Sequence, residues 1–152
     1  MVTWWTWTST VFADVGAYFV GKKFGKHKLS LLSSAAGSAS PNKTVEGAIA
    51  GFASCILMSV LGAWLMQWPL WLATGSVYGL LISFVALIGD LTASMMKRDA
   101  KMKDSGTLFP GHGGLLDRFD SYMFTAPVAY LFCTLVLPFA QRIKAQKQIL
   151  AF

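Results

Sequence analysis

Between Thr44 and Lys97 the chain carries no basic residue, and the acids in that interval are Glu46 and Asp90 alone. A soluble domain draws on about 25% charged residues to cover its surface. A stretch this long and this apolar has no surface of that kind to offer and belongs in a bilayer. The whole composition agrees: of 152 residues 55% are hydrophobic and 13% charged, and the mean hydropathy is +0.53. One transmembrane domain over residues 1–152 is expected. The apolar segments lack the alternating polarity of barrel strands, so the spans are helical.

A helical crossing takes ~20 mostly apolar residues. Four segments qualify as candidates: roughly Val2 to Val20, interrupted by Asp14; Val45 to Met66; Pro69 to Ile88; and Tyr122 to Ala140. The expected fold is an all-α integral membrane bundle of about four transmembrane helices with a polar, cytoplasm-facing loop region. The short connection Gln67-Trp68-Pro69 makes the middle two an antiparallel hairpin, with Trp64, Trp68 and Trp71 at a membrane interface. Met1 to Val20 lacks the basic start of a cleavable signal peptide.

The formal charge is +6, and the basic residues come in blocks: five from Gly21 to Lys43, five from Lys97 to Arg118, and three after Gln141. Four spans put the two larger blocks on one side, which the positive-inside rule makes cytoplasmic or its organellar equivalent. The tail falls on the other side, where it is expected to lie on the membrane as an amphipathic helix. Blocks that alternate with apolar runs exclude nucleic acid as a partner and suit anionic headgroups or phosphates. Gly47, Gly51, Cys55, Ser59 and Ala63 recur every four residues. Such a stripe lets a helix approach closely, either within this chain or as a homodimer seam. Cys55 and Cys133 sit in apolar runs without metal-site spacing and read as small buried hydrophobes.

The chemistry is concentrated between Gly89 and Asp120. On a helix continuing past the third span, Asp90, Ser94, Lys97 and Lys101 share one face. An acid, a hydroxyl and two cations suit a metal and phosphates, and equally a solvated helix end. Four glycines and Pro110 between Gly106 and Gly114 exclude a helix there and give a loop whose backbone N–H groups can approach phosphate oxygens. Asp117 and Asp120 follow at i, i+3 on one face of the next helix start. That pair suits Mg²⁺, or alternatively capping and dipole compensation. Asp14, a carboxylate inside a span, is a functional candidate by position. It is expected either in a substrate cavity or as a structural partner of a cation such as Lys43.

Taken together, the 27 residues from Ser94 to Asp120, SMMKRDAKMKDSGTLFPGHGGLLDRFD, resemble the signature of the phosphatidate cytidylyltransferase (CDP-diacylglycerol synthase) family without departure at its fixed positions. The runs DVGAYFVGKKFGK from Asp14 and SPNKTVEG from Ser40 resemble the family too. The resemblance covers nearly the whole chain and matches the catalytic C-terminal part. The family's further N-terminal spans are not in this sequence, and Ser33 to Ala39 looks like an insertion.

The resemblance implies transfer of the cytidylyl group of CTP to phosphatidate, giving CDP-diacylglycerol and pyrophosphate. It assigns Asp90, Asp117 and Asp120 to a metal centre of Mg²⁺ with K⁺ as a second cation. Lys97, Arg98, Lys103, Asp104, His112 and Arg118 would form the catalytic and phosphate-binding set, His112 as a phosphate contact or loop hydrogen bond rather than a base. Asp14, Lys43, Ser94, Gly113 and Gly114 would bind substrate. The implied location is a bacterial inner membrane or a plastid or other organelle membrane. The competing expectation is a non-catalytic relative that binds anionic lipid or assists assembly.

Overall fold

A computed structural model describes residues 1–29, 43–101 and 116–150, with side chains described except at 116–120 and 147–150. The described residues form helices α1 (Val2–Phe24), α2 (Val45–Leu65), α3 (Trp71–Asp99), α4 (Leu116–Leu131) and α5 (Leu137–Leu150). A π-helical turn, Phe132–Val136, joins α4 to α5. Among the described residues the one piece of β pairing is an isolated antiparallel bridge between Lys28 and Thr44. The chain is an all-α, multi-pass membrane protein.

Among the described residues three stretches are long and apolar enough to cross a bilayer: Val45–Leu65, Trp71–Asp99 and Ser121–Gln146. The expected first span is a helix of 23 residues but falls short in hydropathy. The reason lies in which side chains it turns inward. Thr6, Ser9 and Thr10 are buried, whereas Trp4, Val11, Phe12, Val15 and Phe19 are exposed. Thr6 Oγ1 is 2.6 Å from the Tyr78 hydroxyl and also donates to the Val2 carbonyl at 2.8 Å. Thr10 Oγ1 donates to the Thr6 carbonyl. Thr6 and Thr10, bonded back to their own helix or to a neighbour, are buried without stranding a donor, whereas the buried Ser9 hydroxyl has no hydrogen-bond partner among the described residues. α1 thus faces inward with hydroxyls and outward with rings.

α1 runs antiparallel to α2 along its whole length. Near one end Trp5 Nε1 donates to the Met58 carbonyl at 2.8 Å. Near the other, a Cβ placed on Gly47 would fall 2.8 Å from the Ala17 carbonyl oxygen and 3.2 Å from Gly21 Cα. The small-residue stripe is therefore used within the chain. Gly47 and Gly51 admit α1, and Ser59 and Ala63 lie against Gly75 and Gly79 of α3.

The α2–α3 connection is as short as expected and is strained: Gln67 and Leu70 have φ of 53° and 51°, a region that costs a non-glycine residue roughly 1–2 kcal/mol. Trp68 anchors it. Trp64 and Trp71 are 56% and 43% exposed, as interface residues are, but Trp68 turns inward to 9%. Its ring meets Tyr78 edge-on at 5.4 Å and stacks on Phe132 at 6.0 Å.

α3 is one helix of 29 residues and ends earlier than the proposed polar stripe, since Lys101 has φ 56° and leaves the helical path. α4 packs antiparallel on α3, with Phe132 against Tyr78 and Phe124 against Gly89. The expected amphipathic tail is instead the continuation of α4 through the π turn. The span Ser121–Gln146 has 26 residues, about 39 Å at 1.5 Å per residue. The π turn sits just ahead of Pro138, whose missing N–H interrupts ordinary α bonding.

Candidate active site

The antiparallel packing gathers the C-terminal half of α1, the N-terminal half of α2 and the C-terminal half of α3 at one end of the bundle. There the helices line a cavity of about 660 Å³. Its walls are mainly apolar or small, including Ala13, Ala17, Gly47, Ala48, Gly51, Phe52, Ala86 and Leu87. The polar groups on it are Asp14, Tyr18, Lys22, Lys43, Thr44, Ser83 and Asp90. Short side chains on facing helices leave the space that larger ones would fill.

Lys43 and Asp90 form an ion pair across this cavity, Nζ to Oδ2, between residues 47 apart in sequence. Their side chains are 29% and 28% exposed. The other carboxylate oxygen, Oδ1, is 3.5 Å from the Ser94 hydroxyl one turn along α3. Ser94 and Lys97 are half-buried, while Arg98 is exposed in the last turn of the same helix. Half-burial matters because a charge pair partly removed from water interacts more strongly and is screened less by salt.

Lys43 is held by its backbone. Its carbonyl accepts from Leu29 N at 2.8 Å, and Val45 N donates to the His27 carbonyl at 3.0 Å. Thr44 caps α2, its side chain accepting from Gly47 N. Glu46, in the first turn of α2, accepts from His27 N at 3.2 and 3.3 Å, and its Oε1 is 2.7 Å from His27 Nδ1.

Of the residues singled out from sequence, Asp14, Lys43 and Asp90 share one cavity, with Ser94 beside Asp90. Lys97 and Arg98 stand further along α3. Asp117, Arg118 and Asp120 lie on the first turns of α4. Because α3 and α4 are antiparallel, with Phe124 level with Gly89, those turns are at the Asp90 end of the bundle. Their side chains are outside the described set, as are Lys103, Asp104, His112, Gly113 and Gly114 altogether. Among the described residues no three or more His, Cys, Asp or Glu side chains cluster closely enough to hold a metal ion. Sequence reasoning missed Tyr18, Lys22 and Ser83 as lining residues and gave no role to His27 or Glu46. Lys22 and Tyr18 were within reach of it, at i+8 and i+4 from Asp14 on one helical face; no spacing connects His27 to Glu46.

A cation and a carboxylate at the polar end of an apolar cavity, in helices that cross a bilayer, suit an amphiphile with an anionic head. Residues 1–136 match the family described as the cytidylyltransferase family. The chain is 57% identical over 126 residues to the phosphatidate cytidylyltransferase of Synechocystis sp., a match covering 83% of this chain and 41% of that protein. It is 44% identical over 127 residues to phosphatidate cytidylyltransferase 4, chloroplastic, of Arabidopsis thaliana (84% and 31%). It is 41% identical over 122 residues to the phosphatidate cytidylyltransferase of Bacillus subtilis (80% and 43%). The matched part is thus less than half the length of each of these relatives. With the match running from α1 through the π turn, the chain belongs to the cytidylyltransferase family.

Proposed function

We propose that this chain carries the site at which CTP and phosphatidate give CDP-diacylglycerol and pyrophosphate. The observation that carries the reading is the Lys43–Asp90 pair on a mainly apolar cavity between the helices, in a chain whose relatives are phosphatidate cytidylyltransferases. The diacylglycerol part of phosphatidate stays in the bilayer, and its phosphate meets CTP at the charged end of the bundle.

In this reaction an oxygen of the lipid phosphate attacks the α-phosphorus of CTP. A new P–O bond forms, the bond to the β-phosphate bridge breaks, and pyrophosphate leaves with the electron pair. The lipid phosphate, a monoester with a second pKa near ~6, is already largely ionised at pH 7, so no base has to act. The obstacle is repulsion between two polyanions. The work of the chain is therefore to hold both and offset their charge. Lys43, from the extended segment ahead of α2, and Lys97 and Arg98, from the last turn of α3, supply positive charge at the same end, and Lys103 and Arg118 belong to the same proposal. Arg98 offers a planar fork to phosphate oxygens and the lysines offer point charges.

The donor set suits Mg²⁺. Asp90 already directs one oxygen at a cation and the other toward a hydroxyl, and a hard carboxylate of that kind, with Asp117 and Asp120 on α4, is what Mg²⁺ takes alongside phosphates. When bound, Mg²⁺ would offset triphosphate charge; K⁺ as a second cation rests on the family resemblance. The test is conversion of CTP labelled at the α-phosphate into lipid by the chain in phosphatidate vesicles, with Mg²⁺ present. Label in CDP-diacylglycerol, lost in Lys43→Ala, is expected. Label entering lipid equally in Lys43→Ala would remove the pair from the reaction.

A further inference from the structure

Of the residues that set Lys43 opposite Asp90, Leu29 and Thr44 line the cavity, whereas His27 and Glu46 are not among its lining residues. Residues 27–29 run antiparallel to residues 43–45, joined by Leu29 N to the Lys43 carbonyl and Val45 N to the His27 carbonyl, the two bonds that make the Lys28–Thr44 bridge. Two backbone bonds are a thin attachment for a segment at the water-facing end of a bundle. Glu46 adds three contacts to it: both carboxylate oxygens accept from His27 N, and Oε1 meets His27 Nδ1 at 2.7 Å. Bonds to a charged acceptor are the stronger kind. They tie the exit of α1 to the entry of α2, on either side of Lys43.

We propose that Glu46 is a positioning residue, which through His27 clasps the two strands that fix the Lys43 backbone and so keeps Lys43 on Asp90. The role in turnover rests on the function proposed above; the clasp itself does not. Two other accounts of Glu46 predict different behaviour. As an acid in the first turn of α2 it complements the helix dipole, and its loss would then lower stability and leave Lys43 in place. As a bare negative charge near a site for polyanions it would oppose CTP, and its removal would strengthen CTP binding. The clasp predicts the reverse sign.

The experiment couples Lys43 to Asp90 with a carbodiimide, which joins an amine and a carboxylate already in contact, and measures the cross-linked peptide by mass spectrometry in the full chain. Glu46→Ala is expected to lower the yield about tenfold, the scale of one lost charge-assisted bond. Glu46→Gln, which keeps an acceptor for His27 N, should restore most of it. His27→Ala, which leaves α2 intact, should lower it in the same direction and serves if Glu46→Ala fails to fold. In turnover, Glu46→Ala should lower kcat/KM for CTP in parallel. Unchanged yield in Glu46→Ala and His27→Ala, with Tm preserved in either, overturns the clasp. A fallen yield with unchanged turnover leaves the clasp standing and overturns the role of Lys43 in the reaction.

Discussion

The two ends of the bundle are built on opposite principles. At the α2–α3 turn the helices close on one another: Trp68, Tyr78 and Phe132 form a ring cluster, with Tyr78 2% and Phe132 3% exposed. Glycines there are filled by a partner, and a Cβ on Gly62 would fall 1.8 Å from Trp5 Nε1. At the other end the same helices present alanines and glycines to a cavity and put a lysine and an aspartate on it. The closed end holds the helix positions by contact, which leaves the open end free to spend its side chains on charge. Substitutions at the two ends should therefore separate, the open end losing chemistry and the closed end losing stability.

The largest effect belongs to the start of α4. Asp117→Asn and Asp120→Asn should each lower turnover about a thousandfold or more, as expected when several kcal/mol of charge stabilisation disappear, while the chain still inserts in membranes. Near-normal kcat in either variant would remove it from the proposed metal ligands. Next, Lys97→Ala and Arg98→Ala should each cost about 2–4 kcal/mol of transition-state stabilisation, the scale of one preorganised donor. A change in kcat/KM below about twofold in both would place these side chains in bulk solvent.

The closed end answers in stability instead. Gly75→Ala sets a Cβ 2.8 Å from Val60 Cα; a backbone neighbour cannot swing aside, so the helices must part, at about 1–3 kcal/mol. Thr6→Val removes the hydroxyl that meets Tyr78 and should cost about 1–2 kcal/mol, the price of a stranded buried group. Both read as a lower Tm. A large loss of turnover at unchanged Tm, in either variant, would break the separation of the two ends.

Much of this layout was legible in sequence, for reasons that differ by element. α2 starts at Val45 as expected and ends one residue short of the expected Met66, because Glu46 is the last charge before a long apolar run and Gln67 and Pro69 end it. The end of the last span was not legible. Arg142 and Lys144 look like the edge of a membrane segment, yet the helix carries them in line through the π turn, since backbone bonding within a helix does not stop where side-chain polarity changes. α1 was read as an apolar span interrupted by Asp14, without its inward hydroxyls, a choice fixed by Tyr78, 72 residues from Thr6. The polar stripe and the family resemblance marked Asp90, but its partner was open: Asp14 was a candidate for Lys43, and both acids line the cavity while an ion pair joins Lys43 to Asp90. Partners that meet through helix packing leave no spacing to read. The His27–Glu46 contact was invisible for the same reason.

The charged end is proposed to perform the transfer while the closed end holds the frame. Asp90→Asn tests it most directly, because Asp90 is the described carboxylate that faces Lys43. The measurement is label from CTP appearing in CDP-diacylglycerol, taken together with Tm, for wild type, Asp90→Asn and Gly75→Ala in phosphatidate vesicles. Mg²⁺-dependent product is expected in wild type, none above background in Asp90→Asn with Tm within a few degrees of wild type, and product from Gly75→Ala at a temperature below its lowered Tm. Equal product from wild type and Asp90→Asn would contradict the proposal.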